Sequence, residues 1–381
     1  MAYIITSEES KELVAEVKKF CEKEVKEQCK EFDKSGEWPK EIYEKAIAMQ
    51  LQMLEVPEQY GGLGLDKITM AAIMEQMAIA DAGFAITLSG NGLALKPVII
   101  GGSEEQKKRA CEIIVNGGFG AFGLTEPNAG SDAGAGRTVA VKDGDSWVLN
   151  GRKCFITNAG VASFYCVTAM TDKTQGVNGI SMFFVEAGTK GLSTGHHEDK
   201  MGIRTSNTCD VVLEDCRVPA SAMIGAEGKG FDIAMKTLDQ ARAWMGCVAT
   251  GIAQRAVNEA IAYAKKRVQF GKPIIKNQAI QFKLADMEIK TETARQMTAH
   301  ALTLFDLGLP FAKEAAIAKC YASDIAMQVA SEAIQIFGGY GYSKEYPVEK
   351  LLRDAKIFQI FEGTNEVQRI VIAFNMRRQR R

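Results

Sequence analysis

The sequence predicts an α+β multidomain protein: an N-terminal all-α domain, a middle antiparallel β-barrel domain and a C-terminal helical bundle. Three observations predict it. Apolar residues recur at three- and four-residue spacing up to about residue 118. Short β-branched and aromatic runs, separated by Gly and Asp turns, occupy about 122–225, and long helical periodicity returns after Gly230. The expected bounds are 1–120, 121–228 and 229–381. At 381 residues the chain exceeds the ~250 residues at which single cores stop growing.

The first helix is expected from a Thr6-x-x-Glu9 capping box and from Val14, Val17, Cys21, Val25, Cys29 and Phe32 along one face. The Gly61-Gly62-Leu63-Gly64 loop introduces a second apolar helix near 67–80, and Ser103-x-x-Gln106 caps another. Strands are expected at Arg137–Lys142, Trp147–Asn150, Phe164–Met170, Ser181–Glu186 and Val211–Glu214, with Asp143-Gly144-Asp145 turning a hairpin. The absence of helical stretches between them argues against alternating βα units. Helices then follow at roughly 230–265, 277–306 and 311–337, with a shorter pair near 347–358 and 364–375. They make a bundle, and Pro273 and Pro310 fall between its segments.

A composition of 46% hydrophobic and 24% charged residues is that of a soluble globular protein. The net charge of −1 gives no electrostatic case for a nucleic-acid or membrane partner. Nine cysteines without a C-x-x-C pair suggest reduced thiols rather than a zinc or disulfide framework. The three histidines, His196, His197 and His300, supply neither a metal ligand set nor a Ser-His-Asp arrangement. The N-terminus lacks a signal-peptide pattern, and no stretch is expected to reach the ~20 apolar residues of a membrane span. Cytoplasmic location is the expectation, with the mitochondrial matrix as the alternative. The basic tail Arg377–Arg381 reads as a solvated terminus. Gly118-x-Gly120-x-x-Gly123 satisfies the dinucleotide fingerprint, but a strand before it and a helix after it are not expected, so it is set aside.

Chemistry concentrates at Phe361-Glu362-Gly363-Thr364-Asn365-Glu366. A carboxylate between apolar Phe361 and flexible Gly363, if removed from water, binds its proton more tightly and approaches the pKa needed to deprotonate a carbon acid. An ordinary solvated glutamate is the alternative. At Asp239-x-x-Arg242 the three-residue spacing puts both side chains on one helix face, where a surface ion pair is the competing reading.

In their order along the chain, Phe122-Gly-Leu-Thr-Glu-Pro-Asn-Ala-Gly-Ser-Asp132, Phe155-Ile-Thr-Asn158, Arg267-Val-Gln-Phe-Gly271, Gln335-Ile-Phe-Gly-Gly-Tyr-Gly341 and the Glu362 segment resemble the acyl-CoA dehydrogenase family. The likeness runs from about residue 5 to about residue 375 and is nearest to short-chain, butyryl-type bacterial members. It implies FAD as cofactor and an acyl-CoA substrate. Glu362 would remove the Cα proton while hydride leaves Cβ for flavin N5, giving the trans-2-enoyl thioester. Phe122, Leu124 and Thr125 would border the isoalloxazine ring, and Phe155 and Thr157 would cover its other side. Ser131 would contact flavin phosphate or the CoA. Many members carry Trp at the Phe155 position.

The resemblance further implies cofactor contacts at Arg267, Phe270, Gln278, Gln335, Gly338, Gly339, Thr364 and Glu366. The Arg267, Gln278 and Gln335–Gly339 contacts would reach across a subunit boundary in a homotetramer, a dimer of dimers. Asn91, Ser131, Asp239, Arg242, Trp244, Tyr340, Phe361 and Gly363 would meet substrate. Ala241 stands where some relatives place their catalytic Glu, which strengthens Glu362. An electron-transferring flavoprotein is the implied acceptor. Trp244 and Met245 would narrow the acyl cavity or fill core. Polar Asn91 near the acyl tail motivates an alicyclic thioester, cyclohexane- or cyclohexene-carboxyl, as an alternative to a short linear one. A direct oxidase and a non-catalytic flavoprotein partner on the same scaffold are the remaining readings.

Overall fold

The protein is described here by a computed structural model covering residues 3–378, so residues 379–381 of the basic tail lie outside the described residues. The chain begins with α1 (Glu8–Phe20) and α2 (Lys26–Ser35), joined by a π-helical turn at Cys21–Val25. Val14, Val17, Cys21, Val25 and Cys29 are buried along one face, as their spacing predicts. The N-cap is Ser7 rather than Thr6. Ser7 is still extended, and its Oγ accepts from the Ser10 N–H at 3.4 Å.

α3 (Lys40–Ala48), α4 (Lys67–Ala80), α5 (Ala82–Gly101) and α6 (Glu104–Val115) complete the N-terminal unit. Asp66 and Asp81 cap α4 and α5, and Ser103 with Gln106 forms the reciprocal box expected on α6. By length and composition alone, α5 is apolar enough to cross a membrane, against the expectation that no stretch is. It is instead buried almost throughout inside the fold, as a helix apolar on every face requires.

The middle unit is one eight-stranded sheet: β1 (Phe119–Gly123), β2 (Val139–Asp143), β3 (Ser146–Thr157), β4 (Ala162–Met170), β5 (Ile180–Glu186), β6 (Leu192–His197), β7 (Thr208–Pro219) and β8 (Met223–Ile224). Pairing runs β6-β7-β3-β2-β4-β5-β8 and is antiparallel except along one edge of β4. There β1 pairs in parallel, and β2 follows at the single pair Val139↔Met170. The expected hairpin is present, with Asp143 opposite Ser146 and Gly144 at φ +60°. The glycine fingerprint runs into β1 itself. A Cβ on Gly120 would lie 2.6 Å from Phe164, so that glycine serves packing between strand and core.

The C-terminal unit comprises α7 (Gly230–Lys266), a ribbon of β9 (Val268–Gln269) and β10 (Lys272–Pro273), then α8 (Gln278–Asp306), α9 (Ala312–Phe337), α10 (Val348–Lys356) and α11 (Asn365–Arg378). α7, α8 and α9 pack on one another, and α4 and α5 pack on α7. The two helical units therefore share one apolar core, containing Ile73, Met77, Trp244 and Phe337. A separate core built on Trp147, Leu149, Val167 and Phe183 fills the sheet. All nine cysteines are buried and unpaired.

Candidate active site

After α10 the chain makes a 3-10 turn at Ile357–Gln359 and reaches α11 through residues 360–364. Glu362 and Gly363 both carry positive φ, +55° and +87°. For a glutamate this is a strained conformation that its surroundings must impose. Gln368 Nε2 donates to the Glu362 and Gly363 carbonyls at 3.1 and 2.8 Å. Lys319 Nζ donates to the Gly363 carbonyl at 2.8 Å and to Asn365 Oδ1 at 3.0 Å. Thr364 Oγ1 accepts from the Val367 N–H at 3.3 Å, and Phe361 lies edge-on to Phe358 with ring centres 4.9 Å apart. Among the described residues the Glu362 N–H has no backbone acceptor.

The Glu362 residue is half-buried, but its Oε2 is shielded from solvent and has no hydrogen-bond partner. Burial pushes its carboxyl up to about 7. Lys96, Lys319 and Arg242 act in the opposite direction, and Glu55 adds to the rise. These charges come from separate elements: Lys96 from α5, paired with Glu55; Arg242 from α7, paired with Asp239; and Lys319 from α9. Arg242 is 4% exposed, so its pair with Asp239 is not the surface bridge that spacing alone allowed. Burial lowers Lys319 to about 8. An unpartnered acid near neutrality, beside cations that favour its charged form, suits a general base.

A second group of side chains lies where β1 leaves the sheet. Glu126 accepts from the Arg137 and Thr138 N–H groups at 2.5 and 3.0 Å and from Lys153 Nζ at 2.7 Å. The Cys154 N–H donates to the Thr125 carbonyl at 2.9 Å, so half-buried Leu124 and Thr125 run beside the Phe155–Thr157 end of β3. Phe155 has φ +58° and is 64% exposed, an aromatic ring turned to solvent at a conformational cost. Phe122 packs into the core with Phe164 and Phe184, leaving its backbone to the strip. Ser131 is exposed, and a Cβ on Gly130 would meet nothing in this chain.

Helix α5 joins the two groups. A Cβ on Gly90 would lie 3.5 Å from Thr157, and one on Gly92 would strike Glu55 Oε1 at 1.7 Å. Lys96 follows one turn later.

Several expected residues are placed elsewhere. Asn91 donates through Nδ2 to the Gln52 and Gly118 carbonyls at 3.1 and 3.3 Å and accepts from the Gly120 N–H at 2.9 Å. Three of the four hydrogen bonds its amide can make go to backbone, so Asn91 holds the Gln52, Gly118 and Gly120 backbone together. Trp244, 2% exposed, fills the shared helical core. Arg267 lies over the Tyr340 ring at 5.3 Å. Phe270, at φ +53°, is exposed, as are Gln278, Gln335, Gly338 and Gly339. No hydrogen bond or ring contact among the described residues ties this surface to Glu362 or Phe155 within the chain. Thr364 caps α11, and Glu366 is exposed on its first turn. Sequence reasoning missed Glu55, Lys96 and Lys319. Lys96 did leave a signal, as the sole charge in the apolar run 82–101.

A poised acid and an exposed aromatic and hydroxyl strip, on a β unit held between helical units, mark a flavoprotein oxidoreductase. The chain belongs to the acyl-CoA dehydrogenase family, whose N-terminal, middle and C-terminal domains match residues 7–118, 121–216 and 228–376. It is 49% identical over 358 residues to the short-chain specific acyl-CoA dehydrogenase of Megasphaera elsdenii, covering 92% of this chain and 94% of that one. The short-chain specific enzyme of Clostridium acetobutylicum is 45% identical over 376 residues, 98% and 99% of the two chains. Among solved structures, butyryl-CoA dehydrogenase from Megasphaera elsdenii matches with a TM-score of 0.95 at 46% identity, covering 98% of this chain and 99% of that one. A chain of the structure described as "Electron transferring flavoprotein of Acidaminococcus fermentans: Towards a mechanism of flavin-based electron bifurcation" matches with the same score and coverage at 45% identity. FAD is the cofactor of this family, and the residues present fit it: an uncovered Phe155 ring, hydroxyls at Thr125 and Thr157, and open space above Gly130.

Proposed function

We propose that the enzyme dehydrogenates a short-chain or compact acyl-CoA between Cα and Cβ, with Glu362 as the base. The observation that carries this reading is the unpartnered Glu362 Oε2, on a carboxyl raised by burial toward neutrality. A thioester Cα proton is only weakly acidic, so the base must work near ambient pH and the developing enolate charge needs a donor. Glu362 takes the proton on its carboxylate, and its own N–H is available to the thioester oxygen. Lys96, Lys319 and Arg242 favour the ionised form that the role requires. Gln368 and Lys319 hold the glutamate in its strained conformation through the neighbouring carbonyls. FAD, when bound, supplies the acceptor for the hydride leaving Cβ. Leu124, Thr125, Phe155 and Thr157 would hold its ring, and Ser131 its phosphate or the CoA.

The short acyl chain is supported by the names of the relatives, and an electron-transferring flavoprotein as acceptor by the likeness to the Acidaminococcus chain. Arg267, Phe270, Gln278, Gln335, Gly338 and Gly339 would reach the cofactor of a neighbouring subunit in a cytoplasmic homotetramer. Exposed apolar side chains at Phe270, Phe282, Ile289, Tyr342 and Ile370 support such an assembly. Light scattering of the FAD-loaded protein is expected to give four times the chain mass; a monomer would remove the cross-subunit contacts.

The pH profile tests the base. A carboxyl with a pKa of about 7 must be ionised to accept a proton. The kcat/KM should therefore be level above pH 7 and fall about tenfold per unit below it. A flat profile between pH 5 and 8 would take Glu362 out of this role.

A further inference from the structure

The two strips assigned above to the flavin ring come from different parts of the sheet, and one buried side chain spans them. Lys153 lies on β3, just before Cys154 and Phe155, and is 1% exposed. Its Nζ donates to Glu126 Oε1 at 2.7 Å, to Thr168 Oγ1 on β4 at 3.0 Å and to the Leu124 carbonyl at 3.4 Å. An ammonium carries three donors, so each has an acceptor. Glu126 is buried as well; it also accepts from the Arg137 and Thr138 N–H groups, and its backbone closes a turn with Ala129 through hydrogen bonds in both directions, at 3.1 and 3.0 Å. Burial alone would raise the Glu126 carboxyl, but Lys153 and those N–H groups outweigh it and hold the group below the usual carboxylate range. With the Cys154 N–H on the Thr125 carbonyl, the Leu124 and Thr125 carbonyls are both taken up inside the chain. The N–H groups of the same two residues have no backbone acceptor among the described residues. A Cβ on Gly123 would lie 2.9 Å from Val167 and 3.2 Å from the Lys153 stem, so the lysine is packed tightly beneath the strip.

A buried ion pair is by itself weak evidence for stability, because desolvation offsets the attraction. The placement of this one between the two strips gives it a different use. We propose that Lys153 and Glu126 are positioning residues for the flavin: they hold residues 123–126 against residues 154–157 of β3, so that the ring meets hydrogen-bond donors already in place. The inference rests on the flavin reading above and adds two residues that act through Leu124 and Thr125. A strip that must be ordered when the ligand arrives binds it more weakly by the ordering cost. Hydrogen bonds from the protein also tune the ring's electronics, and donors favour its electron-rich reduced form.

The test uses the holoenzyme and two readouts besides turnover: the rate at which FAD leaves on dilution, followed by flavin fluorescence, and the flavin midpoint potential. In Lys153→Met combined with Glu126→Gln no buried charge is left unpaired, and the Arg137 and Thr138 N–H groups keep an acceptor, but the Leu124 carbonyl loses its donor. FAD is expected to leave about tenfold faster or more, and the midpoint potential to fall. Thr168→Val keeps both charges and removes one acceptor of Lys153, so both readouts should move in the same direction by a smaller amount. A double variant whose melting temperature drops while FAD release and potential stay at wild-type values would overturn the proposal and reduce the pair to a structural bridge. Should the double variant not fold, wild-type release and potential in Thr168→Val would overturn it equally. Purified wild-type protein that carries no flavin and takes up none would overturn the flavin reading first, and this inference with it.

Discussion

Glu362→Gln is expected to lower acyl-CoA-dependent flavin reduction by about 10²–10⁴-fold, the range general-base groups supply, while the protein keeps its yellow cofactor and still binds acyl-CoA. The amide matches the carboxylate in size and retains the backbone held by Gln368 and Lys319, but it cannot take the Cα proton. A second readout separates catalysis from structure. Burial raises the Glu362 carboxyl from 4.5 to about 7, so between those values the folded state binds more protons than the unfolded chain. Stability contributed by this site therefore falls as pH rises through the window and stays low above it. The penalty is on the order of 3 kcal/mol at most, and less to the extent that water reaches the half-buried residue. The variant should match wild type near pH 4 and melt at an equal or higher temperature at pH 8. Undiminished bleaching of its flavin by substrate would remove Glu362 from the mechanism, and a lower melting temperature at pH 8 would point to a structural role.

Glu362 drew attention in the sequence because its segment is local, with an apolar neighbour and a glycine beside it, and because that segment resembles the family's; the local pattern alone also fits a solvated glutamate. The long helices α7, α8 and α9 were legible for the related reason that each repeats one periodicity over many turns. The misses share a different cause. Glu55 and Lys96 are separated by 41 residues, and either one alone reads as a solvated charge; only the packing of α5 makes them a partly buried pair whose charges act on the acid. β1, Phe-Gly-Ala-Phe-Gly, has no alternating pattern because it is buried throughout. Its glycines instead mimic a phosphate loop. β6 is almost wholly exposed at the end of the sheet and carries no apolar signal. Asn91 stood out as polar in an apolar stretch, yet its three backbone partners come from elements far along the chain that no spacing rule brings together.

The same distinction yields the largest expected loss of stability, at Lys350 on α10. Its Nζ lies 2.8 Å from Asp81 Oδ2 and 2.5 Å from Asp354 Oδ2, and all three residues are buried. Asp81 also caps α5 through the Phe84 N–H at 2.9 Å and accepts from Thr205 Oγ1 at 2.5 Å, while Asp354 Oδ1 accepts from the Ile203 N–H at 2.7 Å. One ammonium thus ties the start of α5, the loop before β7 and the C-terminal helices together. Burial alone would raise the Asp81 carboxyl, but Lys350 and Thr205 outweigh it and hold the group below the usual carboxylate range; at Asp354 burial prevails and the carboxyl is raised. In wild type the depressed Asp81 contributes stability that is present above about pH 3.9 and lost as pH falls through its folded value. Lys350→Met leaves two buried carboxylates facing each other without a cation, a change that costs about 3–5 kcal/mol and lowers the melting temperature by roughly 4–6 °C. Without the ammonium both carboxyls titrate upward, so the deficit should be greatest at neutral and alkaline pH and shrink toward pH 4, where protonation removes the repulsion. Adding Asp354→Asn to Lys350→Met should recover part of the loss, because one buried charge is gone and the side-chain oxygen can still accept from Ile203. A pH-independent deficit, or a double variant no more stable than Lys350→Met alone, would mean that Lys350 acts by packing rather than by charge.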